Sequence, residues 1–222
     1  MGRAGEHAWP SLGRLSLPVN GDTVSDWMTR FAASMAEHRE ELVQLDTAIG
    51  DGDHGTNMDR GMRKALDKLG AAEQADAGAV LKTVAMALIS SVGGAAGPLY
   101  GTLLLQMGTA LEGQDDVDLE TYTAAWRKGV EGVQARGKAE PRDKTMVDAL
   151  LPALQALEQA SDLDSGLQDA ASAAERGMLD TIPLIARKGR ASYLGERSKD
   201  HQDPGATSTY YLCQTAAETL AS

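Results

Sequence analysis

Hydrophobic positions recur along this chain with the spacing of helices. Val24, Trp27, Met28, Phe31, Met35 and Leu42 fall on one face of a 3.6-residue repeat. Similar stripes follow at Leu119, Tyr122, Trp126, Val130 and Val133, at Val147, Leu150, Leu151 and Leu154, and at Leu167, Ala170, Ala171, Ala174, Met178 and Ile182. The pattern predicts eight helices, over 21–43, 56–70, 76–91, 97–112, 118–136, 144–160, 165–188 and 205–221. Pro183 falls late in the seventh and is expected to kink it. Strict apolar–polar alternation bounded by hairpin turns is missing, so strands have little support. Short connections favour antiparallel neighbours, and the fold class is all-α, a bundle or a helical barrel. Residues 1–20, with Gly2, Gly5, Pro10, Gly13 and Pro18 and no periodicity, read as a loose extension before a helical domain over 21–222.

Composition narrows the classes. Few aromatic residues (Trp 3, Tyr 5, Phe 1) beside abundant Ala, Leu and Met agree with helices. Lys+Arg 21 against Asp+Glu 32 gives a formal charge of -11, which argues against binding nucleic acid directly. The single Cys213 offers no internal disulfide and no cysteine zinc site. Thr83 to Leu111 carries no charge and has the length of a membrane span. The run from Ser90 to Pro98 interrupts it with three glycines, so two buried helices joined by a loop are expected, in a soluble, cytoplasmic protein.

Three segments carry candidate chemistry. The first, Leu45 to Met58, places Asp46, Asp51 and Asp53 within eight residues on a glycine-rich turn. Two carboxylates about 5 Å apart repel by roughly 3 kcal/mol at an effective dielectric of 20, so converging acids call for a cation, and oxygen-only ligands suit Mg²⁺. A plain solvated Asp/Gly turn with capping roles explains the same spacing equally well. Gly50, Gly52 and Gly55 match the dinucleotide fingerprint, but no strand precedes them. An EF-hand fails because Met62 stands where the bidentate Glu belongs. The second segment, Ser90 to Thr102, is a small-residue loop opening a helix, read either as a phosphate cradle or as a close helix corner. The third, Ala186 to Ser208, gathers cations in an acidic chain. Arg187 and Lys188 are expected to complement a helix C-terminus, whereas Arg190 lies beyond it and suits a phosphate.

At these segments, and at Arg136 to Pro141 and Asp143 to Met146, the chain resembles the L-subunit family of dihydroxyacetone kinases over about residues 21–221. The resemblance implies a closed barrel of eight antiparallel amphipathic helices with a nucleotide site in the loops at one end. It implies that Asp46, Asp51 and Asp53 bind two Mg²⁺ ions and that His54, Gly55, Thr56 and Asn57 line ADP or ATP. Ala95, Ala96, Gly137, Met146, Arg190, Asp203, Pro204 and Gly205 match further nucleotide contacts. The implied partners are a K subunit carrying dihydroxyacetone and a phosphohistidine M subunit supplied from phosphoenolpyruvate through the phosphotransferase system, with ADP retained. The alternatives are an ATP-exchanging kinase for dihydroxyacetone or another small ketose, transfer to a fatty acyl group, and a nucleotide-loaded subunit binding a transcriptional regulator. Two positions depart from the family pattern: Ala96 where Ser is usual, at a cost of about 0.5–1.5 kcal/mol for one hydrogen bond, and Arg142 where Gly is common, which bears on how its loop closes.

Overall fold

The computed structural model describes residues 18–71, 76–114 and 116–221, and all regular structure among them is helical. The order is α1 (Gly21–Glu37), α2 (Arg39–Ile49), α3 (His54–Gly70), α4 (Ala77–Ser91), α5 (Ala96–Ala110), α6 (Leu119–Gly137), α7 (Val147–Gln159), α8 (Leu163–Asp180), a short 3-10 segment (Arg190–Ser198) and α9 (Pro204–Leu220). Each of α3 to α9 packs on the next, and α1 touches α3, α4 and α9. α2 lies against α3, α9 and the 3-10 segment. The interior is filled: Trp27, Trp126, Tyr100, Tyr122 and Phe31 are buried at its centre with Met28, Met35, Met58 and Met62.

Five helices open on a side-chain cap, from Asn20, Asp76, Asp118, Asp162 and Asp203, which accept the exposed amides of the first turn. Asn20 and Thr23 close a full capping box. Val19 is buried and its carbonyl accepts the Val117 amide, so Val19 and Asn20 join the fold rather than the extension. Residues 1–17, which hold most of the expected extension, lie outside the described residues.

The uncharged stretch divides as its glycines predict, into α4 and α5 around Val92 to Ala95. No helix among the described residues is long and apolar enough to cross a membrane. Two expected elements differ. The first helix breaks at His38 and resumes as α2, extending to Ile49; Thr47 Oγ donates back to the Val43 carbonyl at 2.7 Å and the helix runs on through Asp46. The seventh ends at Asp180 rather than 188 and is not kinked at Pro183, because the chain has already left the helix there. Arg187 and Lys188 therefore do not complement its C-terminus.

The loop between α6 and α7 is conformationally unusual. Lys138, Arg142 and Lys144 all have positive φ, at 52°, 71° and 63°. Left-handed backbone costs a non-glycine residue about 1–2 kcal/mol, so position 142 is one that favours glycine. The Arg142 amide donates to Asp148, a bond glycine would keep. Arg142→Gly is expected to stabilise the protein by about 1 kcal/mol, raising Tm by roughly 2–4 °C in a thermal melt. An unchanged or lower Tm would count against strain at this residue.

Candidate functional site

Four connections meet at one end of the molecule: α2–α3, α4–α5, α6–α7 and α8–α9. Even-numbered helices end there and α3, α5, α7 and α9 begin there, so four helix N-termini surround one cleft of about 740 Å³. Each presents amides and the positive end of its dipole, an arrangement suited to anions. Of the four, only α9 is capped by its own N-cap side chain; Asp53, Ala95 and Met146 cap nothing at α3, α5 and α7. At α5 the loop Gly93-Gly94-Ala95 leaves the helix start bare, with Gly94 at φ 66° turning the chain.

The aspartate loop, between α2 and α3, lines the same cleft. One carboxylate oxygen from each of Asp46, Asp51 and Asp53 falls within 4.8 Å of the others. Asp46 reaches from the end of α2, and its Oδ2 accepts the amides of Asp53 at 2.8 Å and His54 at 3.1 Å. Capping and convergence, the two readings of this spacing, are thus both present in Asp46. Gly52 turns the loop at φ 73°, with Thr47 Oγ filling the space a side chain would need. Asp51 forms an ion pair with Arg190, which brings the basic segment to the acid cluster. The donor set is all oxygen and anionic, which fits a hard divalent cation.

His54 Nε2 lies 2.9 Å from Ser208 Oγ, which is itself 2.7 Å from the Tyr100 hydroxyl. Burial lowers the His54 pKa, partly opposed by Asp46 and Asp53. Asp203 is buried at the head of α9; its Oδ2 accepts the Ala206 amide at 2.7 Å, and burial raises its pKa to about 7.

Most sequence-predicted residues come together. Asp46, Asp51, Asp53, His54, Asn57, Ala95, Ala96, Gly137, Met146, Arg190, Asp203, Pro204 and Gly205 all line the cleft. Gly55 and Thr56 do not. Gly55 is buried against α2, where a Cβ would stand 2.1 Å from the Arg39 carbonyl oxygen. Thr56 is exposed on α3. Tyr100, Lys144 and Tyr193 also line the cleft, although the sequence assigned them no role. The only signal for them was position: each stands inside a segment already singled out.

Fold and cleft together define an all-helical domain with an anionic, oxygen-only cluster facing helix N-termini at one end. Residues 48–218 match the DAK2 domain, and the chain belongs to that family. It is 46% identical over 198 residues to the ADP-binding subunit DhaL of the PEP-dependent dihydroxyacetone kinase of Escherichia coli K12, covering 87% of this chain and 94% of that one. It is 42% identical to the corresponding subunit of the PTS-dependent enzyme of Lactococcus lactis, over 90% and 98% of the two chains. An L-erythrulose 1-kinase of Mycolicibacterium smegmatis shares 36% identity, with this chain matching 34% of its length. Among solved structures, the dihydroxyacetone kinase of C. freundii superposes with a TM-score of 0.70 at 23% identity, over 98% of this chain and 38% of that one. That likeness supports the all-helical fold.

Proposed function

We propose that this chain is the nucleotide-binding, phosphoryl-transferring subunit of a dihydroxyacetone kinase. The observation that carries the reading is the convergence of Asp46, Asp51 and Asp53 in one cleft with the bare N-terminus of α5. The names of the relatives, ADP-binding subunits of PEP-dependent kinases, agree with it. The contact order, in which α1 meets both α9 and α3, supports a closed eight-helix barrel with α2 outside the ring.

In this reading Asp46, Asp51 and Asp53 would hold two Mg²⁺ ions through their carboxylate oxygens. When bound, the ions neutralise the polyphosphate and the charge that develops as phosphate is transferred. The chain's own groups do the positioning. Amides at the start of α5 orient the phosphates, the Gly137 and Met146 wall confines the nucleoside, and Arg190 leaves Asp51 to pair with a phosphate oxygen. In the same reading this chain delivers phosphate to an acceptor held by a K subunit, as the names of its relatives, subunits of a larger kinase, support. The cleft would keep ADP between turnovers, and a phosphohistidine of an M subunit would supply the next phosphoryl group.

The test is reconstitution. With a dihydroxyacetone-loaded K subunit, an M subunit charged from phosphoenolpyruvate and no added ATP, pyruvate release should require both this chain and dihydroxyacetone. Turnover only on added ATP would replace retained ADP with an exchanging substrate. The erythrulose kinases among the relatives make erythrulose the second acceptor to try.

A further inference from the structure

The cleft contains a buried cation that the proposed chemistry does not use. Lys144 is 1% exposed, and among the described residues it forms no ion pair with any carboxylate. Its Nζ donates instead to backbone carbonyls: Thr181 at 2.9 Å, Leu184 at 3.0 Å and His201, with Ile182 further off at 3.4 Å. An ammonium has three N–H donors, and three carbonyls at short range use all of them. Oxygen atoms around a positive centre in this way resemble the coordination of an alkali cation more than a salt bridge.

The position of those carbonyls gives the cage its meaning. Thr181, Ile182 and Leu184 follow the end of α8, at the negative end of the helix dipole; the Thr181 and Ile182 carbonyls also accept the Leu184 and Asp200 amides, at 3.1 Å and 2.8 Å. His201 stands just before Asp203, which heads α9. Lys144 belongs to the α6–α7 loop and reaches these carbonyls from a left-handed backbone at φ 63°. Three parts of the cleft wall therefore meet on one nitrogen: the start of α7 with Met146, the approach to Arg190, and the start of α9. Backbone bonds run beside it, from the Arg187 amide to the Asp143 carbonyl at 3.0 Å and from the Asp203 amide to Thr181 Oγ at 3.0 Å.

We propose that Lys144 is a positioning residue: its ammonium is an internal cation that ties the α6–α7 loop to the chain between α8 and α9 and so sets the wall of the nucleotide cleft. A water molecule could not replace it, because water has two donors and no charge to offset the carbonyl dipoles. Removing the ammonium takes the side-chain donor from all three; the Thr181 carbonyl keeps the Leu184 amide at 3.1 Å, whereas the part-buried Leu184 and His201 carbonyls lose the donor they have here. The inference rests on the nucleotide reading only for what the wall encloses; the tether exists in the ligand-free protein.

The test uses Lys144→Ala and chemical rescue. Truncation at Cβ removes three methylenes and the ammonium, the shape of n-propylammonium. In the nucleotide-free variant, hydrogen exchange at the Arg187 and Asp203 amides should speed up by at least about tenfold, and n-propylammonium should restore protection. 1-Propanol, of similar size but uncharged, should not. Mg–ADP affinity should fall and recover in parallel. Lys144→Met, which keeps an unbranched stem without donors, should show the same loss and no rescue. Wild-type protection in either variant would overturn the proposal, as would equal rescue by 1-propanol. The exchange measurement needs no nucleotide, so a failure of the nucleotide reading would appear separately, as absent ADP binding in the unaltered protein.

Discussion

Asp51→Asn is expected to eliminate Mg²⁺-dependent nucleotide binding, by at least about 100-fold in affinity, while leaving the helical circular dichroism spectrum intact. Asp51 is an exposed member of the converging carboxylates, and among the described residues it pairs with the Arg190 guanidinium. An exposed pair of this kind contributes about 0–1 kcal/mol to stability. Against that small loss, the substitution relieves repulsion from Asp46 and Asp53. The ligand-free variant should therefore melt within about 2–4 °C of the parent, and the rise in Tm that Mg–ADP gives the parent should vanish. Calorimetric titration and paired melts with and without Mg–ADP check both halves. Normal affinity in the variant would remove Asp51 from the proposed metal site; a collapsed spectrum would make the cluster structural.

Gly55→Ala should be the most destabilising of the small substitutions near the cleft. Its Cβ would meet the Arg39 carbonyl oxygen at 2.1 Å, with Leu42 Cβ and the Val43 amide nitrogen both at 3.0 Å. The first of these is backbone, so no side-chain rotation relieves it and α3 must move away from α2. Overpacking of this kind costs about 3 kcal/mol, or roughly 6–12 °C in Tm for a chain of this size. The displacement also carries the start of α3 away from Asp46, whose Oδ2 receives the Asp53 and His54 amides. The decisive reading is a melt without nucleotide. A large drop there assigns Gly55 to helix packing, whereas unchanged stability with weakened ADP binding would return it to the nucleotide contacts implied by the family resemblance.

Helical periodicity made most of the fold legible because each helix buries one face. Trp27, Met28, Phe31 and Met35 of the first stripe, and Tyr122, Trp126, Val130 and Val133 of α6, are all buried. Boundaries were harder where polarity and conformation diverge. Leu45, Asp46 and Thr47 read as loop because they are mixed in character, yet α2 continues through them to present Asp46 to the cleft. Ile182 prolonged the apolar stripe beyond Asp180, where the helix had stopped.

For the site, local spacing carried the aspartate loop, since three acids within eight residues have few ways to avoid one another. Long-range pairings were not visible in the same way. His54 with Ser208 and Asp51 with Arg190 join distant parts of the chain, and nothing in either local pattern names its partner. Lys144 is the clearest case. A lysine on a loop is ordinarily solvated, and it is the meeting of the α6–α7 loop with both ends of the α8–α9 connection that buries it. The cation expected at the end of α8 was Arg187 or Lys188; Lys144 fills that place from another loop.

The most direct test of the account is to purify the protein with Mg²⁺, dialyse it, denature it and identify any released nucleotide by mass spectrometry. Near-stoichiometric ADP is the expected result. A protein that releases no nucleotide, and then binds neither ADP nor ATP in the presence of Mg²⁺, would contradict the assignment of the cleft.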